Sequence, residues 1–176
     1  MAKINGKTIK IVVTGPESTG KTTLSKALAE HLNTSLVPEF AREYLNKTDG
    51  KYEKEDLLEI AKGQIKIENE AASDTPELLI CDTSLEVIRV WSEWKYKACD
   101  SFILEQAKLR VPDLFLLLKP DIPWKEDPLR ENPTDREALY QYYLKTLEEY
   151  NAPIIELRGD DDKRLNSALK AINEIV

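Results

Sequence analysis

The sequence contains no apolar run approaching the roughly 18 residues that a bilayer crossing requires, and residues 1–10 lack the long apolar stretch of a signal peptide. Cysteine is scarce: Cys81 and Cys99 are the only two, too few for a disulfide framework or a four-cysteine zinc site. The single histidine, His31, is the only residue through which a Ser-His-Asp triad could form. Positive charge is in deficit. The 25 Lys and Arg residues against 32 Asp and Glu give a net charge of −7, which disfavours gripping nucleic acid or an anionic membrane over a broad surface. A small anionic ligand held by a few placed cations is still permitted. There is no internal repeat and no low-complexity tract. What remains is a cytoplasmic enzyme or binding domain, and 176 residues fit one domain over 1–176.

Short apolar runs alternate with helical patterns along the whole chain. Ile9–Thr14 is β-branched and ends at Gly15, as a buried strand does. Further strands are expected at Ser35–Val37, Leu78–Cys81, Leu114–Leu118 and Ile154–Leu157. Helices are expected at Thr22–His31, with Leu24, Ala27, Leu28 and His31 on one face, and at Lys54–Ala72, Ser84–Tyr96, Ser101–Arg110 and Arg136–Tyr150. A last helix should follow Gly159 and run to Val176. Between Lys119 and Asp135 lie Pro120, Pro123, Pro128 and Pro133; so long a loop in a compact domain is more often functional than idle. Strands alternating with helices imply right-handed crossovers, a parallel five-stranded sheet and helices on both faces, an α/β three-layer sandwich. Ligands of such sheets sit beyond the carboxyl ends of the strands, so the residues after each strand carry the chemistry.

After the first strand stands Gly15-Pro16-Glu17-Ser18-Thr19-Gly20-Lys21-Thr22, followed by Thr23, a complete G-x-x-x-x-G-K-[ST] phosphate loop in the right strand-to-helix context. The glycines let backbone N–H groups curl round phosphate oxygens, and the helix N-terminus adds its positive dipole end. Lys21 is expected to reach the β and γ phosphates of ATP, and the Thr22 hydroxyl to ligate Mg²⁺. Asp82, at the end of the apolar run Leu78–Cys81, is expected near Thr22, where it would hold the same Mg²⁺ or contact substrate. A guanine-reading motif is matched in letters by Asn46-Lys47-Thr48-Asp49. It stands before the second long helix instead of after a late strand, and no Asp-x-x-Gly switch follows the third strand. A large motor ATPase needs more chain.

A small kinase needs an acceptor-side carboxylate, positive charge for the transferring phosphoryl group and a cover against water. Glu39 and Arg42 follow the second strand and are candidates for the acceptor side. Arg130 and Arg136, in and just after the Pro-rich segment, are candidates for the phosphoryl clamp, with residues 119–137 as lid. The loop Arg158–Asp162 could border the adenine. Cys81 reads as a small core residue and His31 as a residue that packs or caps the end of the first helix.

The blocks Gly15–Leu24, Val37-Pro-Glu-Phe-Ala-Arg-Glu-Tyr44, Ile60-Ala-Lys-Gly-Gln64, Cys81-Asp-Thr83, Asp121-Ile-Pro-Trp124 and Asp127-Pro-Leu-Arg130 together resemble the ribosylnicotinamide kinase domain of NadR-like NAD-biosynthesis proteins. The resemblance implies the small P-loop kinase fold with strand order 2-3-1-4-5. It also implies ATP- and Mg²⁺-dependent phosphorylation of the 5′-hydroxyl of nicotinamide riboside. In that reading Lys21, Glu39, Asp82, Arg130 and Arg136 are catalytic, with Glu39 or Asp82 as base. Glu39, Arg42, Asp82 and Trp124 hold the nucleoside, and Thr22 and Asp82 hold the metal. Only a short segment precedes the first strand, so the adenylyltransferase and DNA-binding parts of larger members are not expected here. Pro38 stands where members place an aromatic residue before the carboxylate; Phe40, Tyr44, Trp91, Trp94 and Trp124 are the alternative stacking faces.

Overall fold

The computed structural model describes residues 8–74 and 76–176; most of the N-terminal segment read for a leader lies outside them. The elements run β1 (Ile9–Thr14), α1 (Lys21–His31), β2 (Ser35–Val37), α2 (Phe40–Lys47), α3 (Asp56–Ser73), β3 (Leu78–Asp82), α4 (Leu85–Tyr96), α5 (Ser101–Leu109), β4 (Leu114–Leu118), α6 (Arg136–Leu147), β5 (Ile154–Leu157) and α7 (Asp161–Asn173). The strands form one sheet in the order β2-β3-β1-β4-β5, and every neighbouring pair is parallel. This is the α/β three-layer sandwich, with the strand order of small P-loop kinases.

Side-chain alternation along β1 builds two cores. Ile11 and Val13 face one way, with Ile80, Leu116 and Leu118, and are covered by α1 and α7 through Leu24, Leu28, Ala168 and Ile172. Val12 faces the other way, with Val37, Cys81, Phe115 and Leu117, under the helices α2 to α6. Strands buried on both faces read as continuous apolar runs, which is why they were visible in the sequence. Register aligns Val13 with Asp82 and Thr14 with Leu117. The carboxyl ends of β1, β3 and β4 therefore open together, at the point where the strand order reverses.

Several expectations need correction. The sequence carries no clear helix signal between Val37 and Lys54, yet α2 forms there; it has eight residues and no side-chain cap of its own. Asp82 is the last residue of β3, not the residue after it. Ser84 precedes α4 as its N-cap position. Helix α6 ends at Leu147, and Tyr150 tucks back into the core from a turn. Helix α7 ends at Asn173, short of Val176. On α1 the buried face is Leu24, Ser25, Leu28 and Ala29, while Ala27 lies at its margin and His31 is exposed. Cys81 is buried, as a core residue should be.

Glu86, on the first turn of α4, is a buried carboxyl that accepts the Ser84 backbone N–H at 3.2 Å. Burial pushes its pKa up to about 7 from an ordinary 4.5. Between those values the folded chain keeps a proton that the unfolded chain releases. The resulting stabilisation is full below the unfolded pKa and is lost as pH rises through about 7. It amounts to about 3 kcal/mol. Glu86→Gln is therefore expected to flatten the pH dependence of unfolding between about pH 5 and 8, as measured by urea denaturation. An unchanged slope would contradict the assignment.

Candidate active site

The phosphate loop is shaped by three left-handed positions, Gly15 (φ +133°), Ser18 (φ +55°) and Gly20 (φ +85°). Gly15 has a second constraint: a Cβ there would stand 2.8 Å from the Leu118 carbonyl oxygen of β4, so the chain can leave the sheet only without a side chain. The loop is tied to itself by the Thr19 hydroxyl, which donates to the Pro16 carbonyl at 2.9 Å, and by Lys21 Nζ, which donates to the same oxygen at 2.8 Å. Burial pushes the Lys21 ammonium pKa down, while Glu39, Asp82 and Glu17 pull it back up.

Thr22 and Asp82 meet: the Thr22 hydroxyl donates to Asp82 Oδ2 at 2.6 Å, and Asp82 Oδ1 is buried with no hydrogen-bond partner. Burial pushes the Asp82 pKa up, and the Thr22 hydrogen bond and the Lys21 charge oppose this. The next residue, Thr83, is β-branched yet has φ +67°, held by its N–H donating to Val13 O at 3.0 Å. Backbone strain of this kind collects beside functional groups. A hydroxyl beside a carboxylate with one idle oxygen fits a magnesium ion that keeps waters and shares phosphate oxygens. Among the described residues no cluster of three or more His, Cys, Asp or Glu forms an all-protein metal cage.

Glu39 occupies the N-cap position of α2 but makes no capping bond, so its carboxylate is free to face the cavity. Burial pushes its pKa up; Lys21 is the largest opposing influence. Arg42, one turn on, donates to Asp127 of the 119–135 segment at 3.1 Å.

That segment closes over the loop without any helix or strand. Lys125 N and Arg130 Nη1 donate to Ser18 Oγ at 2.8 and 3.4 Å. Arg136 donates to Ser18 O at 3.2 Å and Ile122 O at 3.0 Å. Glu17 accepts the backbone N–H groups of Glu131 at 3.1 Å and Asn132 at 2.8 Å, a lid contact with no signal in the sequence. The Tyr52 hydroxyl donates to Glu131 at 2.7 Å and accepts from Trp91 Nε1 at 2.9 Å, joining lid to α4.

A cavity of about 490 Å³ results. Gly15, Glu17 to Thr23, Glu39, Arg42 and Arg130 line it, together with Asp160 and Asp161 at the start of α7. Pro16, Asp82 and Arg136 are not part of its wall; they act from behind, through the contacts above. Trp124 also does not line it. Its ring lies 5.8 Å from both the Arg130 and the Arg136 guanidinium, and its Nε1 donates to Glu126 at 3.1 Å, so it braces the lid arginines. Trp91 and Trp94 line the same cavity, with Val87, Val90, Leu139 and Tyr143. Asn46 to Asp49 end α2 and turn away from this wall.

Arg164 was not singled out in the sequence, though an arginine on the Arg164-Ala168-Ala171-Ile172 stripe of α7 was the available signal. It is fully buried. It donates to Thr19 O in the phosphate loop and to Asp121, and to Lys119 O at 2.9 Å. Asp121 in turn accepts Gly159 N–H at 2.7 Å. One guanidinium thus ties three loops around the nucleotide position. Arg164→Met should cost about 3 kcal/mol, because two inward carbonyls lose their donor; urea denaturation checks this, and a neutral result would contradict it.

The AAA domain family model matches residues 10–164. The chain is 24% identical, over 94% of its length, to the trifunctional NAD biosynthesis/regulator protein NadR of Escherichia coli (strain K12), and it spans only 42% of that relative. Its structure is similar to that of a NadR protein in complex with NR, with a TM-score of 0.75 at 23% identity, covering 95% of this chain and 50% of that one. It is also similar to thymidylate kinase from Ehrlichia chaffeensis, with a TM-score of 0.64 at 18% identity over 96% and 99% of the two chains. At these identities the solved structures share the fold.

Proposed function

The chain belongs to the AAA domain family, and from that premise we propose that it is an ATP- and Mg²⁺-dependent kinase of the 5′-hydroxyl of a nucleoside, with nicotinamide riboside as acceptor. One observation carries the reading: a phosphate loop and the Glu39 carboxylate line one lidded cavity whose wall also includes Trp91 and Trp94, and Asp82 stands behind that wall bonded to Thr22. The similarity to NadR, one structure of which is in complex with NR, supports the choice of acceptor.

In this mechanism the loop N–H groups and Lys21 hold the β and γ phosphates. Thr22 and Asp82 would hold Mg²⁺, which supplies neutralising charge at those phosphates when bound. Glu39 and Arg42 orient the ribose. The 5′-oxygen forms the new bond to the γ phosphorus as the bond to the bridging oxygen of ADP breaks, and Glu39 takes the hydroxyl proton late. Arg130, from the lid wall, and Arg136, which steadies Ser18, add positive charge and orientation. Burial raises the Glu39 pKa above the ordinary carboxylate range, a shift in the direction that makes a carboxylate a better proton acceptor. The lid excludes water from a phosphoryl group that would otherwise hydrolyse.

A panel of nucleosides offered with Mg-ATP tests the reading, with ADP formation and acceptor phosphate counted together. The expected result is stoichiometric transfer to nicotinamide riboside. Transfer to another nucleoside would support the scaffold and replace the acceptor, an outcome Pro38 makes worth testing. A second reading, a nucleotide-binding regulatory module, is favoured by the AAA family match itself and predicts ATP binding with no phosphorylated acceptor. No helix among the described residues is long and apolar enough to cross a membrane.

A further inference from the structure

The block Ile60-Ala-Lys-Gly-Gln64 supplies no group to the cavity, yet it sits on the core-facing stripe of α3, whose buried residues are Leu57, Ile60, Ala61, Gln64 and Glu68. Two of the five are polar, at positions where apolar side chains would pack without needing partners. Both are satisfied. Gln64 Oε1 accepts the Phe40 backbone N–H at 3.0 Å, and Gln64 Nε2 donates to Glu68 Oε1 at 3.2 Å. The Ser84 hydroxyl donates to the same Glu68 oxygen at 2.6 Å, and Lys10 Nζ donates to Glu68 Oε2 at 2.6 Å.

The route of this chain of bonds carries the inference. Phe40 is the first residue of α2 and follows Glu39; its N–H is one of the four that a helix start leaves unpaired. A cap side chain reaches the N–H of the second or third helical residue and not that of the first, so the Phe40 N–H needs a partner from elsewhere. Gln64 supplies that partner from another helix, and Glu39 makes no side-chain capping bond. At the other end, Ser84 lies two residues beyond Asp82; its hydroxyl caps nothing on α4, donating to Glu68 and accepting from Lys10 Nζ at 3.1 Å. Gly63 completes the seat: a Cβ there would fall 2.1 Å from the Phe40 ring, so Phe40 can lie on α3 only above a glycine.

We propose that Gln64, seated by Gly63 and linked through Glu68 to Ser84, is a positioning residue. It pins the first backbone N–H of α2, directly after Glu39, and so sets Glu39 and Asp82 at their working separation. This rests on the kinase reading above. It assigns Gln64 no contact with substrate; Gln64 acts through Glu39.

The test is a double-mutant cycle on the whole chain. Gln64→Met keeps side-chain length and removes both bonds. Gly63→Ala forces Phe40 off its seat, and the helix propensity of alanine offsets part of the clash; thermal unfolding of both variants checks that they fold. Each should lower kcat/KM for the nucleoside by about 10²-fold. KM for ATP should stay within about twofold, since the phosphate loop is untouched. In a Glu39→Gln background, measured at high enzyme concentration, adding Gln64→Met should cost less than about threefold, because the residue through which it acts is already disabled. Full additivity with Glu39→Gln, an equal rise in the KM for ATP, or wild-type kinetics in both single variants would overturn the inference and leave the kinase reading standing. A wild-type chain that phosphorylates no nucleoside would overturn both.

Discussion

Replacing Lys21 by alanine is expected to reduce phosphoryl transfer by at least about 10³-fold while the chain stays folded. Lys21 belongs to neither apolar core, so its loss removes no packing. Its Nζ rests on the Pro16 carbonyl at 2.8 Å, pointing back over the loop where phosphate oxygens would lie. It is the cation that offsets Glu39 and Asp82, both of which burial pushes toward protonation. Without it the site loses its fixed charge at the transferring group and gains repulsion between carboxylates and phosphate. Arginine should not rescue, because a planar fork cannot fold into the space that a slender ammonium occupies. Rapid-quench turnover and thermal unfolding, measured on one preparation, separate the two effects. Full activity in Lys21→Ala would exclude phosphate-loop catalysis.

Asp82→Asn has the second largest expected effect, and its two readouts move in opposite directions. Asn keeps the shape and can still accept from Thr22. It puts an N–H₂ group or a neutral oxygen where an anionic oxygen stood. Activity should fall by about 10²-fold or more, and the Mg²⁺ needed for half-maximal rate should rise at least about tenfold. Stability should rise by about 1 kcal/mol, since a buried carboxylate with an unpartnered oxygen is removed. A gain in stability with a loss of activity is the signature of a group kept for function against its folding cost. A loss of both would mean that Asp82 is mainly structural.

The parts of this molecule that were legible in its sequence are those written in contiguous residues. The central strands β3 and β4 and the end of β1 could be read because both faces of the sheet are covered there and the apolar runs are long; the short, partly exposed edge strands β2 and β5 gave a weaker signal; and the phosphate loop could be read because its spacing is dictated by backbone geometry. The strand order came only with the family resemblance. Helix α2 was missed because its start is satisfied from α3, by Gln64, and not by a local cap. Arg164 was missed because its partners, Thr19, Lys119 and Asp121, come together only when α7 docks on the sheet. Trp124 looked like a wall of the substrate chamber because it sits in the lid. Whether a ring turns inward or braces its neighbours depends on where the lid backbone anchors, and Glu17 and Ser18 make those anchors. Trp91 and Trp94 were named only among several alternatives, since a helix position says little about which face meets a cavity.

The most direct measurement is incubation of the chain with Mg-ATP and nicotinamide riboside, followed by mass detection of the mononucleotide. The account predicts mononucleotide and ADP in equal amounts, with neither formed by Lys21→Ala. Tight ATP binding without a phosphorylated nucleoside of any kind would contradict it.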